Sequence, residues 1–164
     1  MFISNYKKKL LDAVIVLIIF LIDRASKIYI LKIAEVENAV DIYITPYLNF
    51  YLIWNKGIAF GLASSNESLI YNSITAIIGI IVLGILILIF KLEGIKKYSF
   101  MMILGGALGN LCDRIYYSAV PDFIDFHIGE NHWFIFNVAD IFITFGVIFL
   151  ILIELFDKKR NEEN

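Results

Sequence analysis

The chain has 164 residues, of which 60% are hydrophobic and 18% charged, with a mean hydropathy of +0.78 and a formal net charge of −2. Soluble domains are roughly 45–50% apolar and about a quarter charged, so this composition argues against an ordinary soluble domain. The charges gather in short clusters, as a bilayer requires of a chain whose other segments contact lipid. The single cysteine, Cys112, excludes an internal disulfide framework and a multi-cysteine metal site.

Four long apolar runs predict four membrane-spanning helices. A helix needs about 20 residues to cross a hydrocarbon core of ~30 Å, and each run is near that length. In chain order the runs cover residues 10–33, 69–90, 98–116 and 133–156. We therefore expect an all-α membrane protein, a four-helix bundle that forms a single domain over residues 1–164.

The basic residues predict the orientation of these spans. They precede the first run, separate the second from the third and follow the fourth: Lys7, Lys8, Lys9, Lys91, Lys96, Lys97, Lys158, Lys159 and Arg160. Four crossings put all of them on one side, which the positive-inside rule makes the cytoplasm. Both termini are then cytoplasmic, and the loops over residues 34–68 and 117–132 lie outside.

The basic N-terminus and the first run also imitate a cleaved secretory signal peptide. Such a peptide ends in a small-x-small site, whereas this run ends in Ile22-Asp23-Arg24. We therefore expect the first run to be retained as a span. Since no lipobox-like cysteine lies near the N-terminus, the chain is not expected to be a lipoprotein itself.

The first outer loop is rich in β-branched and aromatic residues over 41–45 and 48–54, with Pro46 between the two segments. This pattern predicts two or three short strands that form a small extracytoplasmic sheet at the membrane surface. Gly57 and Gly61 predict a close turn after the sheet. Between the third and fourth runs we expect a short loop or helix.

Ionisable side chains at membrane depth cost at least ~2.5–3.5 kcal/mol each on insertion scales, so each needs a partner or a function. Asp23 and Lys27 are four residues apart and share a helix face, which predicts an ion pair. An ion pair is also the favoured interpretation of Asp113 and Arg114. Solvation at the interface is at least as good an interpretation as a role for three others: Arg24, Lys56 and Asp125.

Asp140 lies one turn into the fourth run, and no cation is near it in the sequence. Two carboxylates brought together share one proton, and aspartic proteases use that arrangement to activate water and to protonate the leaving amine. Asp122, at the mouth of the fourth run, is the natural second member of such a pair.

Other sites are not supported. The chain has no HExxH motif, and His127 and His132, five residues apart, do not share a helix face, so no zinc site is predicted. Nor is there a GxSxG nucleophile elbow. Gly105 and Gly109 lie in an apolar run without the GK[ST] of a phosphate loop, and they predict close helix packing instead.

Two non-enzymatic interpretations also remain. An ion- or proton-coupled transporter would have acids spaced through the membrane depth and often an internal repeat. A structural subunit would use its polar residues to pair with a partner protein.

Five segments, in order, resemble those of the bacterial lipoprotein signal peptidases (signal peptidase II), and the resemblance covers nearly the whole chain. They are Ile22-Asp-Arg-Ala-Ser-Lys27, Asn55-Lys-Gly-Ile-Ala-Phe-Gly61, Gly105-Gly-Ala-Leu-Gly-Asn-Leu-Cys-Asp-Arg114, Val120-Pro-Asp-Phe-Ile-Asp-Phe126 and Phe136-Asn-Val-Ala-Asp140. The resemblance implies an intramembrane aspartyl endopeptidase of the bacterial cytoplasmic membrane. It implies cleavage of prolipoproteins immediately before the diacylglyceryl-modified cysteine of the lipobox.

The resemblance also implies roles for individual residues. Asp122 and Asp140 match the catalytic pair. Positions that line or support the substrate site are matched by Asn55, Gly57, Asn110, Arg114 and Asn137, and positions that hold the architecture by Asp23, Lys27, Gly109 and Asp113. The implied partners are prolipoprotein substrates and membrane lipid, with no nucleic acid. A monomer without metal or organic cofactor is expected.

Three residues depart from the family pattern. Pro121 stands where an aliphatic residue is usual, Ile141 where serine is common, and Lys56 places a cation inside the second motif. Pro121 fixes its own backbone and biases Val120 toward an extended conformation.

Overall fold

The computed structural model describes residues 2–57 and 67–162, in which four helices and four strands are present. In chain order the elements are α1 (Phe2–Glu37), β1 (Asp41–Thr45), β2 (Leu48–Asn55), α2 (Glu67–Ile89), α3 (Ile95–Tyr117), β3 (Val120–Ile128), β4 (Asn131–Phe136) and α4 (Val138–Glu162). One hairpin follows α1, and the other joins α3 to α4.

The helices follow the predicted apolar runs, but their bounds differ. α1 extends beyond the predicted span at both ends, and α4 begins at Val138 because residues 133–136 belong to β4. Within the described part of the chain, two helices are long and apolar enough to cross a membrane, over Ser68–Ile89 and Val138–Lys158. Only 11% of the most apolar window of each is buried, so their apolar side chains mostly face outward.

The two hairpins form a single antiparallel sheet with the order β1-β2-β3-β4. Its central pairing runs from Leu48 opposite Phe126 to Asn55 opposite Val120. The prediction of two or three short strands in the first outer loop is confirmed, with two strands present. The expectation of a short loop or helix between α3 and α4 is wrong, since that segment contributes half of the sheet.

The composition of β3 explains why it escaped prediction. Proline and aspartate are depleted in strands, and β3 contains Pro121, Asp122 and Asp125. Residues 120–123 are all buried, so the alternation of a half-exposed strand is missing at its start. The strand tolerates Pro121 because β4 pairs with β3 only from Ile124 onward, which leaves the proline at an edge position.

A small apolar cluster fixes the sheet to the end of α1. Ile30 and Val40 pack with Phe123 of β3, and all three are buried. The ring of Phe50 on β2 meets the ring of Phe123 edge-on, with 5.9 Å between centroids. Because Phe123 adjoins Asp122, this packing also fixes the backbone that carries one of the candidate catalytic carboxylates.

Glycines on α3 let three helices approach one another closely. A Cβ at Gly106 would lie 2.5 Å from the Ala139 carbonyl oxygen of α4, and one at Gly105 would lie 2.7 Å from Ile19 of α1. A Cβ at Gly109 would overlap the Asp23 carboxylate. The packing role predicted for Gly105 and Gly109 is therefore confirmed.

Gly106→Ala is expected to destabilise the protein by about 1–3 kcal/mol, because the added methyl group meets backbone that cannot rotate away. Unfolding by SDS in mixed micelles measures the change. Gly79→Ala is the matched control, since a Cβ there meets no heavy atom within 4 Å and helical alanine is favoured over glycine. Equal losses in both variants would contradict the close contact of α3 with α4.

Candidate active site

A reciprocal cap closes the first turn of α4. The backbone N–H of Asp140 donates to Asn137 Oδ1 at 3.2 Å, and the backbone N–H of Asn137 donates to Asp140 Oδ2 at 3.0 Å. This is the pattern of a capping box, in which two side chains satisfy amide groups that lack an intrahelical partner. The cap fixes the Asp140 carboxylate at the sheet end of α4.

Asp122 reaches the same cap from β3. Its side chain is nearly inaccessible, with 2% of the residue exposed. Asn137 Nδ2 donates to Asp122 Oδ1 at 2.6 Å, and Asn55 Nδ2 donates to Asp122 Oδ2 at 2.9 Å. Asn137 is thus hydrogen-bonded to both Asp122 and Asp140, and the structure brings the two carboxyl groups together around it.

Burial raises the pKa of the Asp122 carboxyl group above its ordinary value, because water that would stabilise the charged form is excluded. The hydrogen bonds from Asn55 and Asn137 favour the ionised form and oppose this change, whereas the negative charge of Asp140 adds to it. The net effect is that Asp122 holds a proton more readily than an exposed aspartate.

Three buried charged residues and the partly buried Arg24 form a charge cluster between α1 and α3. Lys27 Nζ lies 2.9 Å from Asp23 Oδ1 and 2.7 Å from Asp113 Oδ2. Arg24 contacts both carboxylates as well, at 2.6 Å from Asp113 and 3.2 Å from Asp23. Two cations balance two anions, which offsets much of the cost of removing them from water.

Hydrogen bonds connect this charge cluster to the first turn of α4. Lys27 Nζ donates to Asn110 Oδ1 at 2.8 Å, and Asn110 Nδ2 donates to Asp140 Oδ1 at 2.8 Å. The backbone N–H of Ala139 donates to Asp23 Oδ1 at 2.9 Å. Asn110 of α3 therefore positions the Asp140 side chain, and Asp23 of α1 positions the neighbouring backbone.

The predicted ion pair of Asp23 with Lys27 is confirmed. The predicted pair of Asp113 with Arg114 is wrong, since Asp113 pairs with Lys27 and Arg24 instead. The two side chains point to different sides of α3: Asp113 faces the cations of α1, whereas Arg114 faces Tyr71 of α2. Arg24 belongs to the charge cluster, and a charge count could have found it, because two buried aspartates need a second cation beside Lys27.

Arg114 lies apart from the charge cluster, beside the turn that follows β2. Its guanidinium carbon is 5.7 Å from the centroid of the Tyr71 ring, and the Tyr71 hydroxyl donates to the Arg114 carbonyl oxygen at 2.8 Å. A Cβ at Gly57 would lie 3.0 Å from Arg114 Nη2, so only a glycine leaves full room for the guanidinium. Tyr71, which holds Arg114, was not identified from the sequence, where it is one aromatic residue in an apolar run.

The turn itself connects Arg114 to the carboxyl pair. Gly57 has a φ of 73°, in the left-handed region, and its N–H donates to Asn55 Oδ1 at 2.7 Å. The same Asn55 side chain donates to Asp122. The predicted close turn is present at Gly57, whereas Gly61 lies outside the described residues.

Comparison with known proteins shows which family the chain belongs to. The family described as Signal peptidase (SPase) II matches residues 15–156. A curated lipoprotein signal peptidase of Pelagibacter ubique (strain HTCC1062) is 60% identical over 162 residues, which cover 98% of both chains. The chain belongs to the signal peptidase II family. A lipoprotein signal peptidase of Anaplasma phagocytophilum (strain HZ) is 37% identical over 160 residues, which are 96% of this chain and 99% of the relative.

A solved structure is also similar to this chain. It is described as a bacterial membrane enzyme determined by the in meso method at 2.3 Å resolution, with a TM-score of 0.66 and 28% identity. The similarity covers 92% of this chain and 90% of that one. Membership of the signal peptidase II family identifies a bacterial membrane peptidase, and it selects this interpretation over a transporter or a structural subunit.

Proposed function

We propose that this chain is an intramembrane aspartyl endopeptidase that removes signal peptides from prolipoproteins, cleaving immediately before the diacylglyceryl-modified cysteine. One observation carries the proposal: Asp122 of β3 and Asp140 of α4 are both hydrogen-bonded to Asn137. The curated relatives are named lipoprotein signal peptidases, which supports the class of substrate.

In the proposed reaction the two carboxyl groups share one proton, because close carboxylates do not both ionise readily. The ionised member takes a proton from water, and the water oxygen attacks the carbonyl carbon of the scissile bond. The protonated member then donates its proton to the leaving nitrogen as the C–N bond breaks. Burial raises the pKa of the Asp122 carboxyl group, which favours a shared proton, and the titration belongs to the pair rather than to either residue.

Arg114 is the proposed anchor for the substrate backbone. Its Nε and Nη1 are buried and have no hydrogen-bond partner among the described residues. Buried N–H donors without partners are rare in folded proteins, and a guanidinium offers them in a fixed planar array. A peptide carbonyl of the substrate would satisfy them.

We further propose that all four helices cross the membrane, with both termini in the cytoplasm and the sheet at the extracytoplasmic face. The three basic clusters, which lie near the start of α1, around the connection of α2 to α3 and at the end of α4, support this orientation, since they lie at the end of the bundle away from the sheet. The four members of the charge cluster on α1 and α3 pair with one another inside the protein rather than face lipid. Exposed aromatic side chains on the first hairpin suit an interfacial belt: Tyr43, Tyr47, Tyr51 and Trp54.

This orientation places the carboxyl pair near the outer leaflet, where the lipid tails of the substrate lie. The scissile bond then meets the pair while the tails remain in the membrane. The single domain is proposed to act as a monomer.

Cleavage of a synthetic prolipoprotein peptide tests the proposal directly. The purified chain in detergent is expected to cut the diacylglyceryl-modified peptide immediately before the modified cysteine, as read from product masses. The same peptide with an unmodified cysteine is the control and should be cut far more slowly, because it lacks binding energy from the tails. Equal cleavage of both peptides would contradict the proposed substrate, and cleavage of neither would contradict the activity.

Asn55→Ala is expected to move the pH dependence of kcat/KM toward higher pH. The hydrogen bond from Asn55 lowers the pKa of Asp122, so its loss raises that pKa and with it the apparent pKa values of the pair. A pH series of initial rates with the lipid-modified peptide measures the change. Asn72→Ala, at an exposed position of α2, should leave the profile unmoved. A lower rate without displacement of the Asn55→Ala profile would contradict the coupling to Asp122.

A further inference from the structure

The second hairpin carries another cluster of polar side chains, distinct from the carboxyl pair. Asp125 and His127 lie on β3, and His132 lies on β4 directly opposite His127. Opposite residues of an antiparallel pair share a face of the sheet, as do residues two apart along a strand. The separation of five residues argued against a common helix face, but in a hairpin it brings the two histidines together.

The three side chains converge on one point. His132 Nδ1 lies 2.8 Å from Asp125 Oδ2, and His127 Nδ1 lies 3.6 Å from the same oxygen. A carboxylate oxygen of Asp125 and one ring nitrogen of each histidine lie within 4.8 Å of one another. Donors of a tetrahedral zinc site with bonds of ~2.0 Å are about 3.3 Å apart, so small side-chain rotations would bring these three into place.

Unsatisfied lone pairs point to a cation at this position. Asp125 is 1% exposed and His127 is 8% exposed, yet Asp125 Oδ1 and His127 Nδ1 have no hydrogen-bond partner within the described part of the chain. Asn49 of β2, opposite Asp125 in the sheet register, likewise has a buried Oδ1 without a partner there. Buried polar atoms are normally satisfied, and all three of these atoms can act as metal ligands.

We propose that Asp125, His127 and His132 bind a divalent transition-metal ion of the zinc class, with the Asn49 amide oxygen or water as a fourth ligand. Neutral imidazole and carboxylate are ligands that such ions prefer. The ion would link β4 to β3, the strand that also carries Asp122, and would stabilise the sheet. This site is separate from the proposed peptidase chemistry and does not depend on it.

Titration of the full-length protein with Zn²⁺ tests the site, with calorimetry as the readout and Co²⁺ absorption as a report on ligand geometry. The purification tag must contain no histidine and be removed. The background is then low, because the chain has two histidines and one cysteine. We expect one equivalent of Zn²⁺ to bind and to raise the midpoint of thermal unfolding, and Co²⁺ to give visible ligand-field bands.

His132→Ala and Asp125→Asn should each weaken Zn²⁺ binding by about tenfold or more and remove the Co²⁺ bands. The His132 side chain is 54% exposed, so His132→Ala should fold normally. This variant keeps the test valid if replacement of the buried Asp125 disturbs the fold. Glu130→Gln, at the exposed turn of the same hairpin, is the matched control and should bind like wild type. Absence of stoichiometric binding by folded wild type, or unchanged binding by His132→Ala, would overturn the proposal in favour of a plain hydrogen-bonded His–Asp cluster.

Discussion

Asp122→Asn and Asp140→Asn are each expected to slow cleavage of the diacylglyceryl-modified peptide by about 10²–10⁴-fold. Asparagine keeps the size of the side chain, but it neither takes a proton from water nor supplies one to the leaving nitrogen. Because the two groups act as a unit in the proposed mechanism, the double variant should be hardly slower than either single variant. Initial rates measured by mass spectrometry at matched protein concentration give the comparison.

Asp41→Asn is the control for this experiment, since Asp41 is an exposed carboxylate on β1 of the same sheet. It should cleave the peptide at the wild-type rate. Each variant must also elute and unfold like wild type, which separates lost chemistry from lost structure. Near-wild-type cleavage by a correctly folded Asp122→Asn or Asp140→Asn protein would show that the pair is not catalytic.

Lys27→Met is expected to destabilise the protein by about 3–5 kcal/mol, the usual cost of breaking a buried ion pair by removing one partner. The Lys27 side chain is 1% exposed and contacts Asp23, Asp113 and Asn110. Methionine fills similar space but leaves two buried carboxylates with one cation. Cleavage should fall as well, since Asn110 loses the contact that orients it toward Asp140. SDS-induced unfolding measures the first effect and the peptide assay the second.

A charge-balanced double variant separates the loss of charge from the loss of packing. Lys27→Met combined with Asp113→Asn removes one cation and one anion, so it should be more stable than Lys27→Met alone. Lys96→Met is the control on the same protein, because Lys96 pairs with Glu154 and Asp157 at the exposed surface, where ion pairs contribute little. If Lys27→Met unfolds like wild type, the charge cluster does not support the fold.

The sequence predicted those elements whose residue pattern fits one kind of structure. The second apolar run has no charge between its ends, and it corresponds to α2 with small changes at its limits. The β-branched and aromatic segments on either side of Pro46 correspond to β1 and β2. The prediction that residues 133–136 belong to the fourth span was wrong, because hydrophobicity does not separate an apolar strand from the apolar helix that follows it. Asn137 followed by Asp140 was the available signal, since it is a helix-start pattern.

The ordered sequence motifs predicted which residues belong to the candidate site. They did not predict which of these residues contact one another. Asn110 was matched to a supporting position, yet its contacts with Lys27 and Asp140 depend on how α1, α3 and α4 pack. Spacing along one helix predicted Asp23 with Lys27 correctly and could not predict partners on another helix. The hairpin of β3 and β4 also had to be known before Asp125, His127 and His132 could be seen as one cluster.

The bond between Asp23 and the Ala139 amide has a consequence for how the enzyme is made. Asp23 belongs to α1 and Ala139 to α4, so Asp23 leaves the ribosome well before Ala139, because synthesis proceeds from the N-terminus. The Asp23 carboxylate therefore lacks one of its donors until α4 has been made and packed against α1. If Asp122 and Asp140 are the catalytic pair proposed above, a nascent chain that stops short of α4 also lacks one of its two carboxylates, and catalytic competence is a late event in biosynthesis.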